Sequence, residues 1–217
     1  LESEITRRTK AEDALATALL AARLHDPAQY LGPRRESDCW LERIYAPHAT
    51  RAWVCGADGW QDCTALMPPG IFECRSDTPF PIPVRVRLEQ DGELIESFDP
   101  YAFDLVISDT DLHYFNEGSL LQGHRVFGAH PMEWNGVAGV HFATWAPNAE
   151  RVSVVGDFNK WDGRVHALRA RGASGVWELF IPGLAPGTLY KFELRNRETG
   201  AILVKTDPYG QAFEVRP

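Results

Sequence analysis

The residues best equipped for chemistry share one turn, Gly156-Asp-Phe-Asn-Lys-Trp-Asp-Gly163. Two glycines there bound an indole, two carboxylates, an amide and an ammonium group. A flat indole held out on such a turn offers a platform for the apolar face of a sugar ring, while Asn159 and a nearby lysine bond hydroxyls. The competing role for Trp161 is to fold back and plug the end of its own domain. Asp157 and Asp162 read chiefly as turn formers that bond the local backbone. A shorter version of the turn, Gly56-Ala-Asp-Gly-Trp60, occurs about a hundred residues earlier and is the weaker candidate. Alternation along Tyr190-Lys-Phe-Glu-Leu194 puts Tyr190, Phe192 and Leu194 inside, so Lys191 faces out, toward a ligand or water.

No catalytic constellation accompanies these residues. The chain lacks GxGxxG, a phosphate-binding loop ending in Gly-Lys-Ser/Thr, GxSxG and HExxH. Its seven histidines stand singly, which reads as loop and surface positions, and Trp145 and Trp177 fall within apolar strand-like stretches, which reads as core. Cys39, Cys55, Cys63 and Cys74 contain no CxxC pair, so no metal site is expected. They read as free, mostly buried thiols, which points to a cytoplasmic setting. No cofactor is implied. With 22 basic and 30 acidic side chains the formal charge is −8, which disfavours nucleic acid and anionic membranes as partners. No apolar run reaches the ~18 residues of a membrane span, and the first residues lack a signal-peptide pattern.

The elements that must hold the turn are mostly strands. Thr9 and Glu12 have capping-box spacing, and Ala11, Leu15, Ala18, Leu19 and Ala22 form one apolar stripe, so the chain opens with a helix that Asp26-Pro27 ends. Beyond Pro33 the period changes to two. Val84-Arg-Val-Arg-Leu88, Arg151-Val-Ser-Val154 and Tyr190–Leu194 each alternate, as half-buried strands with one wet face do. Clusters rich in Gly and Pro separate them.

An internal repeat organises the rest. Tyr45-Ala-Pro-His-Ala-Thr-Arg51 aligns with Trp145-Ala-Pro-Asn-Ala-Glu-Arg151, Gly70-Ile-Phe-Glu73 with Gly175-Val-Trp-Glu178, and Asp99-Pro-Tyr101 with Asp207-Pro-Tyr209. Matching order with slowly growing offsets is the mark of a duplicated unit. Each unit is about the size of an immunoglobulin-like sandwich, ~100 residues. The expected fold is therefore all-β: two tandem immunoglobulin-like β-sandwiches preceded by a short helix. The boundaries fall at 1–29 for the helical segment, 30–107 for the first sandwich, 108–120 for a linker and 121–217 for the second sandwich.

With these residues in view, the sequence resembles the N-terminal region of bacterial 1,4-α-glucan (glycogen) branching enzymes. The likeness is carried by His25-Asp-Pro-Ala-Gln-Tyr-Leu-Gly-Pro33, Gly139-Val-His-Phe-Ala-Thr-Trp-Ala-Pro-Asn-Ala149, Val154-Val-Gly-Asp-Phe-Asn-Lys-Trp-Asp162, Gly175-Val-Trp-Glu-Leu-Phe-Ile-Pro-Gly183 and Lys205-Thr-Asp-Pro-Tyr209. The resemblance implies glycogen-binding modules ahead of an α-amylase-type (β/α)₈ barrel that moves α-1,4-glucan chains to α-1,6 branch points. That barrel needs ~250 residues, and two sandwiches already fill this chain, so no residue here is expected to be catalytic. The implied partners are an α-glucan and the missing barrel. The implied glucan contacts are Trp161 and Lys191, with Asn159 added on the chemistry of the turn. Related modules carry a second Trp in the hairpin after Tyr-Lys-Phe; Asn196–Gly200 has none. The alternative is a purely structural pair of modules that pack on the barrel and tune chain-length selection without binding sugar.

Overall fold

The computed structural model describes residues 9–213. The expected all-β architecture is present. After helix α1 (Lys10–Leu20), the first sandwich is built from β1 (Gly32–Glu36), β2 (Cys39–Tyr45), β3 (Arg51–Gly56), β4 (Gly59–Asp62), β5 (Thr64–Leu66), β6 (Ile71–Ser76), β7 (Arg85–Gln90) and β8 (Glu93–Phe98). Its sheets run β1-β2-β6-β5 and β4-β3-β7-β8, all pairs antiparallel. After helix α2 (Asp109–Asn116) come β9 (Gly128–Trp134), β10 (Val137–Trp145), β11 (Ala149–Val155), β12 (Arg169–Ala170), β13 (Val176–Pro182), β14 (Lys191–Asn196) and β15 (Ile202–Lys205). These form sheets β9-β10-β13-β12 and β11-β14-β15, the same order again without a counterpart of β4.

The repeat extends to individual hydrogen bonds. Ala46 N–H donates to the Gly70 carbonyl at 2.8 Å, and Ala146 N–H to the Gly175 carbonyl at 2.8 Å. It also extends further toward the N-terminus than the sequence motifs indicate. Thr9 caps α1 and Ser108 caps α2, so the stretch between the sandwiches is the counterpart of the leading helix. Gly32 and Gly128 show why the Asp-Pro-Tyr motifs recur. A Cβ at either would lie 3.0–3.1 Å from atoms of Tyr101 or Tyr209, so each tyrosine packs over a glycine at the start of its own sandwich.

Helix α1 is capped as expected: the Thr9 hydroxyl accepts from Glu12 N–H at 3.2 Å, and Thr9 N–H donates to Glu12 at 2.8 Å. It stops at Leu20, well short of Asp26-Pro27, because Ala22 adopts φ +54° and its N–H turns back to the Leu19 carbonyl, while Arg23 N–H bonds that of Ala18. This is a Schellman ending with alanine where glycine is usual. The buried face is centred on Ala16 and Leu19 rather than on Ala11.

Three burial expectations are overturned. Arg151 and Ser153 are 1% and 0% exposed, so β11 has no wet face there. The segment that follows β11 folds over this face, and both side chains bond the Gly163 carbonyl. His141 is not at the surface; it lies 3% exposed on β10 against Glu178 at 3.0 Å. Trp177 is core, but Trp145 is 56% exposed. The four cysteines are free, and Cys74 alone is fully buried. Among the described residues no helix is long and apolar enough to cross a membrane.

The first sandwich also holds a buried carboxyl pair. Burial, and then the neighbouring Asp99 charge, raise Glu42 well above the carboxylate range. Burial pushes Asp99 itself up to about 6. Asp99 also accepts from Tyr101 N–H at 3.2 Å.

Candidate functional site

The Trp161 turn begins where β11 ends. Gly156 is required by close approach: a Cβ there would fall 2.6 Å from the Leu189 carbonyl oxygen and 2.6 Å from the Phe158 ring. Residues Asp157–Asn159 then make one turn of 3₁₀ helix. Lys160 and Trp161 follow with φ +54° and +60°, two consecutive non-glycine residues in the left-handed region. Each costs on the order of 1 kcal/mol, so the surroundings must enforce the shape. They do so through the backbone, where Lys160, Trp161 and Asp162 N–H groups bond the carbonyls of Asp157, Gly156 and Asn159 at 3.0–3.1 Å.

Asn159 is the keystone of this shape. Its carbonyl accepts from Gly156 N–H at 3.0 Å, and its amide reaches the Val154 carbonyl at 2.8 Å and His166 Nδ1 at 3.0 Å. At 5% exposure, with its amide engaged inside the turn, Asn159 is sequestered and does not face out to bond hydroxyls as the sequence suggested. Its role here is to position the indole. Burial lowers His166 to about 4, so it faces Asn159 as the neutral imidazole.

Trp161 itself projects. It is 46% exposed, and its indole N–H donates to Asp157 Oδ1 at 2.8 Å. That bond fixes the ring by its edge and leaves ring surface to solvent. Lys160 reaches Asp91 at the β7–β8 turn of the first sandwich, 3.1 Å away. Asp162 is held low by the Arg164 guanidinium, which binds it at 2.6 Å against the raising effect of burial.

Lys191 is exposed and pairs across the sheet with Val155, one residue before Gly156. The structure thus brings Lys191 and Trp161 to the same corner of the second sandwich by way of the Val155-Gly156 step, while Phe192 is buried at 2%. Under this corner lies a buried ion pair that the sequence pattern concealed. Arg151 bonds Glu193, Ser153 and the Gly163 carbonyl, each at 2.5 Å. The alignment of Arg51 with Arg151 gave no sign of it, since Arg51 lies on the surface, 59% exposed, paired with Asp62.

Trp60 differs in kind. It lies on β4, and the guanidinium groups of Arg87 and Arg85 sit 4.2 and 5.3 Å from its ring. Among the described residues no group of three or more His, Cys, Asp or Glu side chains is arranged to hold a metal.

The second sandwich thus carries an exposed indole fixed by its edge on a turn with two left-handed residues. Residues 126–210, nearly all of the second sandwich, match carbohydrate-binding module 48 (isoamylase N-terminal domain). The chain as a whole is homologous to the N-terminal part of 1,4-alpha-glucan branching enzymes of the GlgB family. It is 52% identical to the enzyme of Methylobacillus flagellatus over 95% of this chain and 28% of that protein. It is 50% identical to that of Nitrosospira multiformis over 98% of this chain and 29% of that protein. Among solved structures, the maltotriose complex of pullulanase from Anoxybacillus sp. LM18-11 aligns with 85% of this chain and 26% of its own. It does so at 14% identity with a TM-score of 0.34, too loose a match to bear on function. The chain spans under a third of the length of the curated relatives it matches.

Proposed function

We propose that this chain is the glucan-holding, non-catalytic part of a 1,4-α-glucan branching enzyme, with Trp161 and Lys191 as its contact residues. The exposed indole carries the proposal. A strained turn, an inward-facing amide and an edge-on carboxylate all serve to keep Trp161 out in solvent, and a core-plugging residue would need none of them. Stacking on the apolar face of a glucose ring gives that arrangement a purpose. Lys191 supplies a donor for hydroxyls at the same corner. The chain transfer itself, from α-1,4 linkage to an α-1,6 branch point, is assigned to a (β/α)₈ barrel elsewhere in the longer protein. Holding glucan beside that barrel raises its local concentration, so a weak site is enough. The two modules are the sandwiches at 30–107 and 121–217, each with its own leading helix, and the four free thiols suit a reducing, cytoplasmic compartment. Calorimetric titration with maltoheptaose tests the proposal: saturable heat from the wild-type chain, greatly weakened by Trp161→Ala, supports it, and no heat from the wild-type chain overturns it.

The structural alternative draws on a different observation. Tyr45, Ile71 and Tyr101 of the first sandwich share one apolar cluster with Phe142, Val152 and Trp177 of the second. Two modules fused this closely suit a rigid spacer as well as a binding pair.

A further inference from the structure

The corner that carries Trp161 is not built by the second unit alone. Lys160, on one side of Trp161, bonds Asp91 of the first unit at 3.1 Å. Asp91 and Gly92, at φ +54° and +82°, make the two-residue turn between β7 and β8, where Gln90 pairs with Glu93. Such a tight turn demands left-handed residues at both positions, so the carboxylate at its tip has a fixed place. His48 belongs to the loop between β2 and β3. That loop is laid against the end of β7, since Thr50 N–H donates to the Glu89 carbonyl at 2.8 Å and its hydroxyl to the same oxygen at 3.2 Å. His48 and Asp91 each stand two residues from this contact, and both are exposed.

The charges agree with this placement. Lys160, and more weakly His48, hold the Asp91 carboxyl below its ordinary value. On the other side of Trp161, burial raises Asp162, while Arg164 and more weakly His48 lower it. The one imidazole thus neighbours both the hairpin tip of the first unit and the Trp161 turn of the second. Contacts beneath hold the two units in this relation. The Arg164 guanidinium lies 5.8 Å from the Tyr45 ring, and the Tyr101 hydroxyl donates to the Ala167 carbonyl at 3.0 Å. Swinging the first unit away would break these contacts and open the apolar cluster that the units share.

We infer that the glucan site is composite: His48 and Asp91 of the first unit bond hydroxyls of a glucose residue next to the one stacked on Trp161. The chemistry suits a sugar. A carboxylate accepts about four hydrogen bonds, so Asp91 keeps acceptor capacity after binding Lys160, and a neutral imidazole donates at one ring nitrogen and accepts at the other. Vicinal hydroxyls of glucose use both kinds of partner. Apolar surface is not needed at this position, because the indole supplies the stacking. The first unit, whose own Trp60 is covered by two arginines, thereby takes part in binding through its loops. This inference rests on the proposed reading of Trp161 as a glucan platform.

Calorimetric titration of the whole 217-residue chain with maltoheptaose tests it, with Trp161→Ala as the reference. His48→Ala and Asp91→Gly should each weaken binding about fivefold, as loss of one hydrogen bond does. Glycine at 91 keeps the left-handed turn, and both side chains are exposed, so the melting temperature should hold. Lys160→Ala breaks the same ion pair but leaves the carboxylate in place, so its affinity should match the wild type. A loss in Lys160→Ala equal to that in Asp91→Gly would mean that Asp91 acts only by holding the turn, and would overturn its assignment as a contact. Wild-type affinity in both His48→Ala and Asp91→Gly, with binding lost in Trp161→Ala, overturns the composite site and leaves the platform standing. A wild-type chain that gives no heat overturns both.

Discussion

The turns after β3 and after β11 begin from the same place in the repeat and end as opposites. After β3 the chain reverses through Ala57 and Asp58 and returns at once as β4, pairing Gly56 with Gly59. Trp60 therefore sits on a regular strand, where two arginines of β7 cover its ring. After β11 the longer segment makes a 3₁₀ turn, takes two left-handed residues and folds back over the sheet. The added length gives room for a polar floor of Arg151, Ser153, Glu193 and the Gly163 carbonyl, with Trp161 carried above it. One duplicated scaffold thus supports a closed hairpin in one copy and an exposed aromatic in the other. The difference lies in the loop: in one copy it returns as the added strand β4, and in the other it is longer and buries a polar floor.

Removing the polar floor should have the largest effect. Arg151→Ala leaves Glu193 without its partner in a largely buried position and should cost about 3–5 kcal/mol. Arg51→Ala, at the aligned position, should cost under about 1 kcal/mol because its pair is exposed. Chemical denaturation of both variants measures the gap, and equal losses would mean that the two units are held together alike.

Next comes the platform. Trp161→Ala should weaken maltoheptaose binding by at least about tenfold, as loss of a central aromatic contact does, with little change in the melting temperature. Trp60→Ala should leave affinity unchanged. Calorimetry reads the first effect and thermal denaturation the second.

Acid should act on the two units with opposite sign. Asp99, at about 6 in the folded chain, lies above the ordinary carboxyl value, so its contribution is lost as pH rises through 6 and recovered on acidification. His166, at about 4, lies below the ordinary imidazole value, so its contribution is lost as pH falls from 6.5 toward 4. Moving from pH 7 to pH 5 should therefore increase hydrogen-exchange protection around Glu42 and Asp99. Protection of the Trp161 turn should fall, on the order of tenfold, after correction for intrinsic rates. Changes of the same sign in both regions would contradict these assignments.

The smallest effect is at Lys160. Its bridge to Asp91 joins side chains 47% and 76% exposed, so Lys160→Ala should alter stability by no more than about 0.5 kcal/mol. A larger loss would show that the first unit holds the Trp161 turn.

Much of this architecture was legible because it rests on repetition and period. The three repeat motifs anticipated a strand order used twice, and the Thr9–Glu12 spacing located the start of the first helix. Ser108 with Asp111 has the same spacing at the start of α2, a signal available in the sequence but unread. What alternation could not convey is which wet face a loop would later cover. Arg151-Val-Ser-Val154 has the same pattern as Val84-Arg-Val-Arg-Leu88, yet Arg151 is buried while Arg85 stays exposed. Residue type misled in the same way at Trp145, read as core inside an apolar strand, and at Asn159, read as an outward donor. Both outcomes depend on long-range packing, which local pattern does not encode.

The proposed glucan platform is Trp161 and not its counterpart Trp60. Native electrophoresis in gels with and without glycogen tests it most directly, using the wild-type chain, Trp161→Ala and Trp60→Ala. Glycogen should retard the wild type and Trp60→Ala, while Trp161→Ala, folded by its unchanged melting temperature, should run at its glycogen-free mobility. Retardation of Trp161→Ala equal to that of the wild type, or no retardation of any of the three, would contradict it.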